Sequence, residues 1–368
     1  MMATRISLSL VFACAAVSAA RAENPGSVSS QYRSLVPHRV LALLHGPEIH
    51  TELKLTDRQV EQLETLFSEI DGTWFPARIL PPDEQFPILD QLEQRVHDWM
   101  AEHATPAQRA RLRQLELQGQ STRMLLRDDL AKELKLSERQ QRELVELAKT
   151  TDAAQFALRQ AVMRNESSHN LQNEATKAIK AEQDAVTEVL QPSQRRQLAR
   201  ILGTTFDITK LKRTYPLAPE FVPVEQWINS EPLTLKELRG KVVVVHFYAF
   251  QCHNCHANFE IYRRWHEQLK DKGVVVIGIQ TPETSRERDP AAVRSAAAER
   301  KLEFPILIDQ KSENWKAWGN TMWPTVYVVD KNGYLRHWWQ GELNWKGATG
   351  DKTIEQTINT ALAEPHGQ

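Results

Sequence analysis

Cysteine is scarce in this chain of 368 residues, which contains only three. Cys14 lies within residues 1–22, which we predict to be a signal peptide that is removed, so Cys252 and Cys255 are the only thiols expected in the mature protein. Two cysteines exclude a structural disulfide framework beyond that one pair. A disulfide across so short a loop would contribute little stability, which favours a chemical role for the pair.

Long apolar runs are also lacking. The only extended one covers 6–20, follows Arg5 and ends at the A-x-A cleavage pattern of 20–22, as in a secretory signal. It is too short to span a bilayer, and no later stretch reaches the roughly 20 apolar residues that a membrane helix needs. We therefore predict a periplasmic or secreted protein without membrane insertion. Because the apolar run continues past Cys14, lipidation of that residue is disfavoured.

An excess of charge of either sign is absent as well, since 46 basic and 47 acidic residues give a formal net charge of −1. This balance gives no electrostatic reason to expect binding to nucleic acid or to an anionic membrane. We also expect no bound metal and no cofactor. No cluster of ligand residues stands out, and His97 and His103 are typical of solvated helix residues.

Glycine is nearly absent from the first half, where residues 27–202 contain three. Glu, Gln, Arg, Leu and Ala dominate this stretch, a composition that favours helices. From residue 221 onward the chain has β-branched runs, regularly placed glycines and eight of the ten tryptophans. The contrast predicts a two-domain protein, with an all-α N-terminal region of helical hairpins followed by an α/β domain. The predicted boundaries are a signal peptide at 1–22, a linker at 23–45, the helical region at 46–205, a linker at 206–220 and the α/β domain at 221–368.

The helical region repeats a sequence pattern. The segment "ELKLTDRQVEQLETL" from Glu52 returns as "ELKLSERQQRELVEL" from Glu133, 81 residues later, and each copy has a second helix start, at Thr105 and Gln191. The L-[ST]-x-x-Q core of each copy is a capping box, in which the Ser or Thr and Gln side chains bond the first free backbone N–H groups. We therefore predict helical hairpins that pack through their apolar stripes.

The motif at 55–59 matches L-T-x-x-Q fully, and the one at 136–140 matches it nearly. On these motifs the helical region resembles the Spy/CpxP-like proteins, small helical chaperones and stress sensors of the bacterial periplasm. The resemblance implies that the region binds clients or partners. The capping boxes by themselves indicate a scaffold, a spacer or a dimerisation region, and both interpretations stay open.

From residue 241 the sequence alternates strand and helix patterns. "KVVVVHFYAF" is the apolar run expected of a strand buried on both faces. "VVVIGIQ" and "FPILID" predict two further strands, and "TVYVVDKNGYLRHWWQ" predicts a hairpin that turns at Asn332-Gly333. Parallel strands joined by helices and followed by an antiparallel pair give an α/β domain with a mixed sheet.

Residues 252–256 have the sequence Cys-His-Asn-Cys-His. The first four form a C-x-x-C redox pair, whereas the addition of His256 gives C-x-x-C-H, the attachment motif of a c-type haem. At the corner between a strand and a helix, Cys252 lies at the positive end of the helix, which stabilises a thiolate and predicts the nucleophile. Cys255, one turn later on the same face, is placed to resolve a mixed disulfide.

Several separated motifs of this half occur in a consistent order: Ala218-Pro219-Glu220-Phe221, the strand into C-x-x-C, "GVVVIGIQTPE" and Trp323-Pro324-Thr325. On these motifs the chain, from residue 216 to the end, resembles the thioredoxin-like redoxins of the TlpA/ResA type, and in particular the thioredoxin-like domain of DipZ-like proteins. One departure is Gln251, because the family often has a tryptophan before the first cysteine.

The resemblance implies a thiol-disulfide oxidoreductase that acts on protein disulfide substrates, exchanges electrons with a redox partner protein and favours reduction. It implies that Pro324 is a cis-proline facing the disulfide and that Trp323 presents its backbone to a bound peptide. It also places His246 where thioredoxins relay the proton of the second cysteine, and Glu283 where ResA-like proteins hold an acidic residue near the cysteines.

His253 is a further candidate, because its position could stabilise the neighbouring thiolate. For these three weaker candidates the structural alternatives stay open. His246 could be a hydrogen-bonded core residue, Glu283 a solvated loop carboxylate and His253 an exposed polar spacer.

A c-type haem would need His256 as one axial ligand and a methionine or histidine on the other side, and it would consume both thiols. Met322, the only methionine of this half, stands beside the proline already assigned to the thiol site. The T-x-x-C pattern of a peroxidatic cysteine is absent. We therefore predict thiol–disulfide exchange. The alternative is a non-enzymatic haem c protein, or a copper- or haem-handling carrier, that uses the C-x-x-C-H motif.

Overall fold

The computed structural model describes residues 32–163 and 169–366. The predicted signal peptide, Cys14 and the first part of the linker predicted at 23–45 lie outside these residues. The described chain folds as a helical region followed by an α/β region, as the composition predicts. Each helix in the two described ranges is too short or too polar to cross a membrane.

The helical region is built from pairs of long helices connected by short ones. Within the described residues its helices are α1 (Val40–Leu44), α2 (Pro47–Glu52), α3 (Asp57–Ala77), α4 (Pro82–His103), α5 (Pro106–Gln120), α6 (Asp128–Glu133), α7 (Glu138–Met163), α8 (His169–Glu188) and α9 (Pro192–Leu202). Helices α6 to α9 repeat the order of α2 to α5, at the positions where the sequence pattern repeats.

The capping boxes expected from the repeat are present. They lie at Thr56/Gln59, Thr105/Gln108, Ser137/Gln140 and Gln191/Gln194. In each copy the two glutamines also bond each other, since Nε2 of Gln59 lies 3.1 Å from Oε1 of Gln108 and Nε2 of Gln140 lies 2.8 Å from Oε1 of Gln194. The boxes therefore fasten one helix start to the next as well as capping each helix.

Each copy of the repeat has its own apolar core. The stripe predicted on α3 is buried, with Leu63, Phe67 and Ile70 fully enclosed, and α1 packs into the same core. The linker predicted at 23–45 is therefore wrong for residues 40–44. Four of the five side chains of α1 are buried, so this segment is part of the helical core.

The α/β region contains a six-stranded mixed sheet with the order β1-β4-β3-β2-β5-β6. Strands β2, β3 and β4 are parallel, and the pairs β1/β4, β2/β5 and β5/β6 are antiparallel. The short β1 and α12 were not predicted. The elements are β1 (Trp227–Ile228), β2 (Val242–Tyr248), α10 (His253–Leu269), β3 (Val274–Gln280), α11 (Pro290–Glu299), β4 (Ile306–Ile308), α12 (Glu313–Ala317), β5 (Thr325–Val329), β6 (Leu335–Gln340) and α13 (Gly350–Ala363).

The segment predicted as a linker at 206–220 packs against both regions. Phe206 and Leu211 lie against the core of the first helical copy. Leu217 forms a β-bridge with Tyr334, and the Ala218 N–H donates to the carbonyl of Gly333 at 2.9 Å. The segment thus connects the two regions and is held in place by apolar packing and backbone hydrogen bonds.

The two regions share an apolar cluster on one face of the sheet. Alternate residues of β2 point to opposite sides of the sheet. Val243, Val245 and Phe247 therefore lie on the side that packs against the helical region. Phe75, from the end of α3, is 3% exposed and belongs to this cluster. Its ring lies edge-on to Tyr327, with ring centroids 5.9 Å apart. The sheet is thus covered by α10, α11 and α13 on one face and in part by the helical region on the other.

Candidate active site

The two cysteines lie where strand β2 passes into helix α10. Cys252 is the N-cap of the helix, and its N–H donates to the carbonyl of Ala249 at 3.2 Å. The Cys255 N–H donates to the carbonyl of Cys252 at 3.1 Å. Cys252 is half-buried, whereas Cys255 is completely enclosed. One sulfur is therefore within reach of a substrate and the other lies behind it.

The surroundings shift the pKa values of the two thiols in opposite directions. The hydrogen bond from the Cys255 thiol lowers the pKa of Cys252, and the backbone N–H groups of Cys255 and Asn254 act in the same direction, while partial burial and Glu283 oppose them. Burial raises the pKa of Cys255, and the hydrogen bond to Cys252 raises it further. A thiolate therefore forms first on Cys252, because its charge is stabilised there and not on Cys255.

Glu283 lies close enough to the cysteines for its charge to raise the pKa of both. Its side chain is exposed, in the loop that follows β3. The resemblance implies an acidic residue near the cysteines at this position, and Glu283 lies near them in the structure. Its role in the reaction stays a prediction.

We expect Glu283→Gln to lower the pKa of Cys252, because the substitution removes a negative charge that opposes the thiolate. The measurement is the rate of alkylation by iodoacetamide as a function of pH. Glu267→Gln, an exposed carboxylate near the other end of α10, is the matched control and should leave the profile unchanged. A Glu283→Gln profile that coincides with the wild type, or moves to higher pH, contradicts this electrostatic role.

Glu287 is a buried carboxylate that the sequence analysis did not single out. It is fully enclosed, and its Oε1 accepts the N–H of Gln251 at 2.7 Å. Its Oε2 accepts the N–H groups of Glu283 and Thr284, each at 2.8 Å. One carboxylate thus joins the residue before Cys252 to the loop that carries Glu283. The Thr284-x-x-Glu287 spacing is a capping-box pattern that could have indicated the local bond.

Gln251 strengthens the same connection through its side chain. Its Oε1 accepts the hydroxyl of Thr284 at 2.6 Å. The residue that departs from the usual family pattern therefore has a structural partner in the loop after β3. Together with Glu287, it fixes the distance between the corner at Cys252 and the loop at 283–284.

The Trp323–Pro324 peptide is cis, as the resemblance implied. Thr325 pairs with Phe247 on β2, so Pro324 lies beside the end of the strand that leads to the cysteines. Trp323 packs partly against the core that contains Cys255 and stacks on Trp315, with ring centroids 4.1 Å apart. The structure thus brings Pro324 and Trp323 to the cysteine corner, while their contact with a substrate stays a prediction.

His246 lies in the core between β2 and α10. Its ring stacks on Tyr262, with centroids 4.0 Å apart, and neither ring nitrogen has a hydrogen-bond partner among the described residues. Burial lowers the pKa of His246 to about 3, so the ring is neutral and a weak base. These surroundings do not favour the predicted proton relay from Cys255, because a weak base without a hydrogen bond to the thiol is poorly suited to accept its proton.

The two histidines of the C-x-x-C-H motif, His253 and His256, have different surroundings. His253 is exposed on the first turn of α10. His256 is half-buried, and its Nε2 lies 2.8 Å from the carbonyl oxygen of Phe250. Because this contact occupies one ring nitrogen of His256 with a backbone carbonyl, it does not favour His256 as a haem ligand. Nowhere in 32–163 or 169–366 do three or more His, Cys, Asp or Glu residues gather so as to hold a metal ion.

The site therefore combines a C-x-x-C pair of unequal thiols at a strand-to-helix corner with an adjacent cis-proline, and such a site defines a thioredoxin-like redox domain. Comparison with known proteins agrees. Residues 217–338 match the AhpC/TSA family. The thiol-disulfide oxidoreductase YkuV of Bacillus subtilis is 30% identical over 147 residues, which are 40% of this chain and 94% of YkuV. The chain belongs to the thioredoxin-like thiol-disulfide oxidoreductases.

Two further similarities cover a comparable share of the chain. The protein DipZ of Mycobacterium tuberculosis is 35% identical over 144 residues, which are 38% of this chain and 20% of DipZ. The chain thus spans only one fifth of the length of that relative. A solution structure of a thioredoxin-like protein in the oxidised form is 29% identical and covers 41% of this chain and 97% of its own, with a TM-score of 0.36.

Proposed function

We propose that this enzyme exchanges disulfides with protein substrates through Cys252 and Cys255 and acts as a reductase. The observation that carries the proposal is the pair of unequal thiols. Cys252 is half-buried and receives a hydrogen bond from the enclosed Cys255, with the cis Trp323–Pro324 peptide at the same corner. The accessible sulfur is the one on which a thiolate is stabilised, as a nucleophile requires.

In the proposed reaction, the Cys252 thiolate attacks one sulfur of a substrate disulfide and displaces the other as a thiolate. Cys255 then loses its proton, and its sulfur attacks Cys252 in the mixed disulfide and releases the second substrate sulfur. The substrate gains two electrons and two protons, while Cys252 and Cys255 become a disulfide. A dithiol reductant or a redox partner protein must reduce that disulfide before the next cycle.

One charge near the cysteines, that of Glu283, supports the reducing direction. A dithiol enzyme is a strong oxidant when its reduced form is stabilised. Here Glu283 has the opposite effect, because its negative charge destabilises a thiolate on either cysteine. We infer that this destabilisation lowers the reduction potential and makes the pair a better electron donor.

We further propose that the protein is exported, on the basis of the signal-peptide pattern at 1–22, and that it works in the periplasm or outside the cell. The helical region is proposed to be a scaffold for the redox region. The shared apolar cluster around Phe75 supports this role more directly than an independent client-binding module.

The proposed direction predicts the position of the redox equilibrium. Titrated against glutathione, the dithiol should have a potential closer to the about −270 mV of thioredoxin than to the about −120 mV of DsbA. The same preparation should accelerate the reduction of insulin by dithiothreitol. Alkylation should label Cys252 first, because the pKa of Cys252 is lowered and that of Cys255 is raised. A potential near that of DsbA contradicts the reductase, and failure to reduce insulin contradicts protein substrates.

A further inference from the structure

Arg78, at the end of helix α3, reaches from the helical region into the redox region. Its Nη2 donates to the carbonyl oxygens of Trp318 at 3.1 Å and Gly319 at 3.0 Å, and to the hydroxyl of Tyr327 at 3.1 Å. Its Nη1 donates to the carbonyl of Phe75 at 2.8 Å, within its own helix. The guanidinium therefore joins α3 to the chain segment that follows α12.

The contact between Arg78 and this segment is close. Gly319 has a φ of +56°, and a Cβ there would lie 2.8 Å from Nη1 of Arg78 and 3.1 Å from the Cα of Pro76. A side chain at 319 would not fit, so glycine allows the backbone to approach the end of α3. The hydroxyl of Tyr327 extends the connection, since it donates to Oδ1 of Asn320 at 2.8 Å.

The segment held by Arg78 leads directly to the cis-proline. Only residues 321–323 separate Asn320 from Pro324, and strand β5 begins at Thr325. The sheet fixes the far end of this stretch, because Thr325 pairs with Phe247. At the near end, the bonds just described fix residues 318–320. The helical region thus holds one of the two ends of the backbone that faces the cysteine corner.

We propose that Arg78 is a positioning residue through which the helical region sets the affinity of the redox site for polypeptide substrates. This inference rests on the proposed thiol exchange. A polypeptide disulfide needs the backbone around Trp323 and Pro324 in place, as the resemblance to thioredoxin-like redoxins implies. A small disulfide needs only access to the Cys252 sulfur. Loss of Arg78 therefore impairs the first kind of substrate and spares the second.

The test compares Arg78→Met with the wild-type full chain, using insulin and the small aromatic disulfide dithionitrobenzoate as substrates. Methionine keeps much of the side-chain length but donates no hydrogen bond. We expect the KM for insulin to rise about tenfold, because a charged donor to three acceptors of the redox region is lost. The rate with the small disulfide should stay within about twofold of the wild type. Arg78→Lys should recover part of the insulin affinity.

Two controls make the outcome decisive. Arg142→Met removes an exposed arginine of α7 that pairs only with Glu138 among the ion pairs of the described residues. This control should change neither the KM for insulin nor the rate with the small disulfide. Tyr327→Phe keeps the ring and removes the hydroxyl between Arg78 and Asn320, so it should also raise the KM for insulin. This second variant tests the proposal even if Arg78→Met does not fold. An equal loss with both substrates, or an unchanged KM for insulin in both folded variants, overturns the proposal. A wild type inactive on both substrates contradicts thiol exchange itself.

Discussion

Replacing Cys252 with serine is expected to reduce insulin reductase activity by about three orders of magnitude or more, because the substitution removes the nucleophile. Serine leaves the half-buried corner almost unchanged in size, since only one atom of the side chain differs. The activity of the purified variant in the insulin assay is the measurement. Far-UV circular dichroism should be the same as that of the wild type, so loss of activity is separated from loss of fold.

The complementary variant, Cys255→Ser, should behave differently. The Cys252 thiolate still attacks, but no second thiol releases the substrate, so a mixed disulfide accumulates. The trapped species should be visible on a non-reducing gel and should disappear with dithiothreitol.

Together the two variants separate thiol exchange from haem attachment. A covalent haem on the C-x-x-C-H motif would occupy both sulfurs, trap no substrate and give a Soret band that survives denaturation. Trapping through Cys252→Ser and not through Cys255→Ser would reverse the assignment of nucleophile and resolving cysteine. Full insulin activity in Cys252→Ser would remove the basis of the proposed reaction.

Local patterns in the sequence predicted much of this molecule. The capping boxes were predictable because a Ser or Thr and a Gln three residues later bond the same helix start. The hairpin at Asn332-Gly333 and the corner at Cys252 were predictable for a similar reason, since turn residues and strand periodicity act over a few positions. Each of these features depends on residues that are neighbours in the chain.

The features that were missed depend on residues far apart in the chain. The carboxylate of Glu287 accepts the N–H of Gln251, 36 positions earlier. Arg78 and the carbonyl of Gly319 are separated by 241 positions. Helix α1 has five residues, and its N-cap residue Arg39 makes no side-chain capping bond, so no local signal distinguished it from a linker. Such contacts arise only when the fold brings the segments together.

The same long-range packing predicts that Phe75→Ala destabilises the whole chain by about 3–5 kcal/mol, the range for a buried phenylalanine replaced by alanine. Phe75 is 3% exposed and belongs to the apolar cluster on the sheet, although it lies on a helix of the other region. Its ring also lies edge-on to Trp338, with centroids 5.5 Å apart, and the guanidinium of Arg78 lies 3.6 Å above it. Its removal leaves a cavity between the two regions.

The measurement is urea unfolding followed by tryptophan fluorescence, which reports mainly on the redox region, and by far-UV circular dichroism, which reports mainly on the helices. Phe156→Ala is the matched control, because Phe156 on α7 is 56% exposed and its loss should change the free energy of unfolding by no more than about 0.5 kcal/mol. If the shared cluster couples the regions, both signals should shift together in Phe75→Ala. A Phe75→Ala effect as small as that of Phe156→Ala would mean that the helical region contributes no stability to the redox region through this cluster.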